Sequence, residues 1–448
     1  MVGRSIEVIC SSRNGGCFND CPNVFFYQDA NEVEKELLCI YPEVEYQELE
    51  GFGGAITESV AHNLCRMGPE KQEEVINAYF DPVQGIGLNF CRTHIGSCDF
   101  STETYSYDDI PGDFGLEKFH IDHDRRELLP ALKAVLKKRP DLKVLASPWS
   151  PPAWMKTNAS MLEGGSVKES CRQVWADYIV RYLQEYEKEG IPVWGLTVQN
   201  EAKASQTWES CVYTGKEEKE FVRDYLGPAL CRDGREDLKI LIWDHNKERV
   251  VERVSEAMED RKAAGYIYGA AIHWYSGEHF EALQVAHEKY PQLHLFSTEN
   301  SMGRYPDYTW DMGERIAHGV IGDLKNHVSA WFAWNLILDE GGFPNHDHPM
   351  GKSPMMVDFR LDGALHYDSA YYYLGHFSKY IRPGASRIGS SIYTDKLENI
   401  TFRNPDGSMV TVILNRTDEG IKFILKYEQK LADFISAPHS ITTLCYGP

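Results

Sequence analysis

Eight short apolar runs, each followed by a longer amphipathic or polar stretch, recur through the middle of this chain. They are Gly53–Thr57, Leu88–Ile95, Leu142–Pro148, Val193–Gln199, Leu238–Trp243, Tyr268–Trp274, Leu293–Thr298 and Val328–Asn335. Runs of this length that are apolar on both faces suit a parallel sheet covered on each side. The stretches between them read as helices. In Lys168–Glu189, the residues Val174, Trp175, Tyr178, Ile179, Tyr182, Leu183 and Tyr186 return at three- and four-residue steps, which lays one apolar stripe along a helix. Asp124 reads as the N-cap of a helix over Arg125–Lys138, with Pro140 ending it. Eight such alternations over about 330 residues predict a (β/α)8 TIM barrel. The competing architecture, an open doubly wound sheet, usually carries a glycine-rich phosphate turn after its first strand. Gly51-Phe52-Gly53-Gly54 is not that motif, and it lies within or before the strand.

Both chain ends are of another kind. Ser5–Cys10, Val24–Gln28 and Glu36–Tyr41 at the start, and Ser391–Thr394, Ile400–Phe402, Met409–Leu414 and Ile421–Tyr427 at the end, are short and rich in β-branched and aromatic residues. Asn404-Pro405-Asp406-Gly407 is a hairpin turn signal between two of them. Strands at both ends of a long barrel predict one attached β-sandwich built from both termini. The division is 1–48 for N-terminal sandwich strands, 49–384 for the barrel and 385–448 for C-terminal sandwich strands.

Composition excludes several classes. The 448 residues are 42% hydrophobic, which is the content of a folded globular chain. A net charge of −21 argues against nucleic acid, whose phosphates demand clustered Lys and Arg. No window of 18 uninterrupted apolar residues is present, so no transmembrane segment is expected. The first ten residues carry no apolar run of the kind a signal peptide needs, since Glu7 interrupts them. The 11 cysteines are scattered, which suits free thiols in a reducing cytoplasm better than a disulfide framework. A cytoplasmic location is therefore the expectation, and the acceptor sequons at Asn158, Asn399 and Asn415 carry little weight. Cys10, Cys17 and Cys21 lie close in sequence, but no second Cys or His pair stands at finger-like spacing, so a zinc site is not expected there.

In a barrel of this kind, chemistry gathers where the strand C-termini meet at one mouth. The second strand carries Arg92, with Asp99 following shortly after it; the others end, in order, at Thr57-Glu58; at Ser147-Pro148-Trp149; at Gln199-Asn200-Glu201; at Trp243-Asp244-His245-Asn246; at His273-Trp274-Tyr275; at Ser297-Thr298-Glu299-Asn300; and at Trp334-Asn335. Sugars need this mixture: aromatic faces cover the C–H side of a pyranose, and amides, acids, Arg and His bond its hydroxyls. Cleaving a glycosidic bond needs two carboxyl groups, and Glu201 and Glu299 each stand beside an Asn directly after an apolar strand. A gap of about 5–5.5 Å between them gives retention of configuration, and about 6.5–9.5 Å gives inversion. The plainer alternatives are loop caps for the glutamates, packing for the tryptophans, an Arg92–Asp99 ion pair holding two loops, and a positioning role for His273 through its hydrogen bonds. His346-Asp347-His348 has the look of a metal motif, but no third ligand lies nearby in sequence, and loop polarity explains it better. No metal and no cofactor is expected.

Taken together these segments resemble glycoside hydrolase family 30, which includes glucosylceramidases and β-1,6-glucanases. The resemblance is carried by Gly51-Phe52-Gly53-Gly54-Ala55-Ile56-Thr57-Glu58-Ser59, by Arg92 with Ser97-Cys98-Asp99-Phe100-Ser101, by Ser147 to Asn158, by Thr197-Val198-Gln199-Asn200-Glu201, by His273-Trp274-Tyr275, by Thr298-Glu299, by Trp334-Asn335-Leu336 and by Tyr371 to Gly384. It runs in consistent order from about residue 45 to 448. It implies a barrel fused to a β-sandwich, a retaining double displacement, Glu201 as acid/base and Glu299 as nucleophile. It also implies sugar contacts from Arg92, Asp99, Trp149, Asn200, Tyr275 and Trp334, with Asn345 a looser match. On the same argument Arg92, Tyr275 or Asn200 favours an ionised Glu299, whose charge in turn raises the pKa of Glu201.

One departure stands out. Where the family has Pro after the acid/base Glu, this chain has Ala202, so the loop Lys203–Thr207 is expected to relax on the leaving-group side. The expected substrate is a small-molecule or oligosaccharide β-glycoside, most simply a β-glucoside cleaved from its end. Endo-action on a β-1,6-glucan or xylan is the alternative, and a non-catalytic sugar-binding barrel is a third. The loop Asp339–Met350 decides between a blind pocket and an open groove.

Overall fold

The eight apolar runs close on themselves. In the computed structural model, which describes residues 5–30, 35–303, 310–347 and 351–447, the parallel strands follow one another around a barrel in chain order. They are Gly51–Ala55, Phe90–Ile95, Lys143–Pro148, Val193–Thr197, Lys239–Asn246, Ile267–His273, His294–Asn300 and Val328–Asn335. The last strand pairs with the first, Ala330 opposite Gly51 and Ala333 opposite Gly54, which removes every sheet edge. Phe90, Leu145, Leu241, Ala271, Phe296, Ala330 and Phe332 fill the interior, with Trp194 and Tyr268 packed against them. The first strand is glycine-rich for a steric reason: a Cβ on Gly53 would stand 2.7 Å from both the Phe90 and Phe332 side chains.

The outer helices bury the stripes that their periodicity predicts. Arg172–Lys188 turns Val174, Trp175, Tyr178, Ile179, Tyr182, Leu183 and Tyr186 inward. The preceding helix differs from expectation. It begins at Leu128, and its first-turn amides receive no side-chain cap. Asp124 is not an N-cap. Its carboxylate is buried and accepts hydrogen bonds from Tyr105 (2.7 Å), Tyr107 (2.6 Å) and Tyr186 (2.6 Å). Burial pushes its pKa up, and the three hydroxyls compensate it better than a helix end would.

The two chain ends interleave in one ten-stranded sheet that folds over itself as a sandwich. Its order is Gly16–Phe25, Ser5–Ser12, Ser440–Tyr446, Met409–Asn415, Leu397–Arg403, Ser386–Ile392, Leu37–Glu48, Ile421–Tyr427, Lys430–Ser436 and Tyr27–Gln28. Ile6, Leu38, Ile388, Ile413, Phe423 and Leu444 lie between its layers. The hairpin expected at Asn404–Gly407 joins two of these strands, with Arg403 opposite Met409. A second hairpin was not expected. It turns at Glu428-Gln429, where Glu428 takes a left-handed φ of 55°, a position that usually advertises itself with Gly or Asn. Against the barrel, the sandwich is keyed by His376, whose ring sits between Ser11 Oγ (2.8 Å) and Thr443 Oγ1 (2.9 Å). Among the described residues no helix is long and apolar enough to cross a membrane.

Candidate active site

The C-terminal ends of the strands converge on a cavity of about 360 Å³. Past the fourth strand the chain turns sharply. Asn200 N–H donates to the Pro148 carbonyl at the end of the third strand (2.8 Å), and Glu201 N–H donates to the Asp244 carbonyl at the end of the fifth (2.8 Å). Glu201 thereby takes a left-handed backbone, φ 48°, which costs a non-glycine residue about 1–2 kcal/mol. Strain of this sort gathers at sites where a side chain must be aimed. Ala202 is compatible with that conformation because it lacks the ring that a following proline would press against Glu201. The loop beyond it is tied rather than slack: Ala204 N–H reaches the Glu201 carbonyl (2.7 Å), Tyr213 N–H the Ala202 carbonyl (2.7 Å), and Gln206 N–H the Ser210 hydroxyl (3.1 Å).

Beneath the cavity, Arg92 on the second strand is fully buried and organises the floor. It donates from Nη1 to Glu299 Oε2 (2.5 Å), from Nη2 to Asn200 Oδ1 (2.8 Å) and Asp244 Oδ2 (2.8 Å), and from Nε to Ser147 Oγ (3.1 Å). It pairs with Asp244 and Glu299, not with Asp99, so the loop-holding ion pair is not formed. Tyr275 donates its hydroxyl to the other oxygen of Glu299 (2.7 Å) while its ring is exposed at the mouth. Both oxygens of Glu299 are thus fixed, one by a cation and one by a phenol.

Asp244 ties the floor to the opposite wall. It accepts from Arg92, from Thr197 (2.6 Å), from Thr298 (2.7 Å) and from His273 Nε2 (3.0 Å). Burial alone would raise its pKa; the Arg92 charge, His273 and Thr197 hold it far below the carboxylate range. His273, completely buried, would be pushed down by desolvation, but Glu299, Asp244 and Glu201 lift it to about 9. Its Nδ1 faces Glu201 Oε1 at 3.5 Å, and His245 Nδ1 faces the same oxygen at 3.6 Å. Gln206 Nε2 donates to Glu201 Oε2 (3.1 Å). Burial raises the Glu201 pKa, and His273, His245 and Gln206 outweigh that and lower it. This is opposite in sign to the rise expected from the charge of Glu299, because two imidazoles stand close to Glu201.

The walls suit a polar ring with apolar faces. Trp149 and Trp334 stack at 5.7 Å, and Arg92 lies 5.0 Å and 5.5 Å from their rings. Asp99 has its pKa raised well above the usual value, first by burial and then by the charges of Glu299, Glu209 and Glu201. The loop after the last strand closes one side. Asn63 Nδ2 bonds the Phe343 carbonyl (2.8 Å), His346 N–H bonds the Asp99 carbonyl (3.2 Å), His346 Nε2 meets Glu209 (3.1 Å), and Thr207 bonds Asp347 (3.0 Å). His346 is therefore a loop tie, while its motif partner His348 and the end of the loop at Met350 lie outside the described residues.

Asp99, Trp149, Asn200, Glu201, Tyr275, Glu299, Trp334 and Asn345 all line this one cavity, and Arg92 and His273 underlie it. Gln206, Trp208 and Ser301 on its walls carry no strand-end signal, whereas Asp244 and His245 stand at the end of the fifth strand without a role that the sequence assigns them.

Comparison with known proteins gives a consistent picture. The family model described as "Glycosyl hydrolase family 30 TIM-barrel domain" matches residues 49–381, and the one described as "Glycosyl hydrolase family 30 beta sandwich domain" matches 384–444. The lysosomal acid glucosylceramidase of Mus musculus is 35% identical over 407 residues, covering 86% of this chain and 78% of the relative. An endo-1,6-beta-D-glucanase of Neurospora crassa is 30% identical over 397 residues, covering 84% and 80%. Among solved structures, SrfJ from Salmonella typhimurium superposes with a TM-score of 0.96 at 33% identity, covering 99% of this chain and 100% of its own. The endo-beta1,6-glucanase BT3312 superposes at 0.89 with 27% identity, covering 99% and 100%.

Proposed function

Because the chain belongs to glycosyl hydrolase family 30 and is a glycosidase, we propose that it removes β-glucosyl units from the ends of small β-glucosides or oligosaccharides, with retention. One observation carries the assignment of roles: the two glutamates are held differently. Glu299 is clamped by Arg92 and Tyr275, as a nucleophile that must stay ionised and aimed requires. Glu201 sits among proton carriers, His273 and His245, as an acid/base requires.

Glu299 attacks the anomeric carbon and the bond to the leaving oxygen breaks, while Glu201 delivers a proton to that oxygen. Glu201 then takes a proton from water, which attacks the glycosyl ester and frees the sugar and Glu299. His273, with Nδ1 3.5 Å from Glu201 Oε1 and a pKa of about 9 that keeps it protonated near neutrality, stands as a proton reserve beside the oxygen that delivers the proton. Asn200, oriented by Arg92, is placed to meet the 2-hydroxyl, a contact that strengthens as positive charge develops on the ring.

The small cavity and the tied loop over Asp99 and Glu209 favour end-on cleavage over an open groove. The relatives named for endo-1,6-glucanase activity make internal cleavage of a β-1,6-glucan the second reading. A panel of nitrophenyl β-glycosides, followed by β-1,6-linked glucose oligomers, separates the two. The expected products are single glucose units released from the first minutes onward, and early release of di- and trisaccharides instead would overturn end-on action. The 11 free cysteines support placement in a reducing, cytoplasmic setting.

A further inference from the structure

We propose that Glu201, His245 and His273 form a zinc site at the edge of the cavity, and that a bound ion switches the enzyme off. The observation is a pair of orphaned nitrogens. His245 Nδ1 and His273 Nδ1 are both buried with no hydrogen-bond partner. Both face the same carboxylate oxygen, Glu201 Oε1, at 3.6 and 3.5 Å. The three ligand atoms lie within 4.8 Å of one another. Tetrahedral zinc, with bonds of about 2.0–2.1 Å, holds its donors about 3.4 Å apart, so two of the three spacings are already near that value.

The surroundings are those of a metal ligand. The remaining ring nitrogen of His273 meets Asp244 Oδ1 at 3.0 Å, and Asp244 is itself fixed by Arg92, Thr197 and Thr298. Zinc displaces the proton from His273 Nδ1, and the carboxylate behind the imidazole then holds the ring and aims the freed nitrogen forward. Two imidazoles and one carboxylate select a borderline ion such as zinc over magnesium or calcium, which prefer all-oxygen shells. Three protein donors leave the fourth position open toward the cavity, where water completes the shell and competes for space with a bound sugar. An ion there occupies the oxygen that would carry the proton. The loss of turnover rests on Glu201 being the acid/base; the binding of zinc does not.

The test uses the full chain freed of metal with EDTA, titrated with zinc chloride by calorimetry and with cobalt(II) by its visible absorption. Wild type is expected to bind one more equivalent than His245→Gln, or to bind that equivalent at least about tenfold more tightly, with a tetrahedral cobalt spectrum lost in the variant. Thiol-bound metal is common to both proteins and cancels. Equal stoichiometry and affinity in the two proteins would overturn the site. A second measurement needs no variant: the iminosugar 1-deoxynojirimycin is expected to weaken binding of that equivalent, and independence of the two would also overturn it. Zinc is further expected to stop hydrolysis of an aryl β-glucoside, with recovery on adding EDTA and with His245→Gln needing at least about tenfold more zinc. Binding that depends on His245 yet leaves turnover intact would uphold the metal site and refute Glu201 as acid/base.

Discussion

Replacing Glu299 with Gln is expected to lower kcat/KM for a nitrophenyl β-glucoside by at least about 10⁴-fold, while the protein folds normally. The substitution keeps the size of the side chain but removes the negative charge held between Arg92 and Tyr275. Folding survives because Arg92 retains Asp244 at 2.8 Å and Asn200 at 2.8 Å, so no buried cation is left without a partner. Melting temperature and circular dichroism check the fold, and initial rates check the chemistry. Activity within tenfold of wild type would mean that the nucleophile lies elsewhere.

Glu201→Ala is expected to behave in a way that no structural defect reproduces. Hydrolysis of an alkyl glucoside, whose leaving group needs a proton, is expected to fall by about 10²–10⁴-fold. An activated dinitrophenyl glucoside loses far less in its first step and then stalls as glycosyl-enzyme, because no base activates the water. Azide needs no such base, so adding it restores turnover and yields a β-glucosyl azide, read by proton NMR. A uniform loss across leaving groups, with no azide product, would remove Glu201 from the role.

Much of this was legible because the chemistry sits where regular structure stops. Glu201 and Glu299 follow apolar runs, and in a barrel the end of a run is the mouth, so strand periodicity alone assembles both. The aromatic walls, Trp149 and Trp334, were legible for the same reason. What escaped is set by three-dimensional neighbours that no spacing announces. Asp124 looks like a helix cap until three tyrosines from distant segments surround it. The hairpin at Glu428 carries no turn residue, and only the pairing of Ile421–Tyr427 with Lys430–Ser436 forces its left-handed backbone. The pKa direction of Glu201 is not legible in sequence because its nearest titrating neighbours, His245 and His273, come from the fifth and sixth strands.

The central claim is that the sugar is carried covalently on Glu299 midway through the reaction. It is tested most directly by incubating the enzyme with 2-deoxy-2-fluoroglucosyl fluoride and mapping the product by peptide mass spectrometry. The account predicts inactivation with one fluoroglucosyl group attached, located on Glu299. A label on Glu201 or Asp99, or steady turnover to the α-configured sugar with no adduct at all, would contradict it.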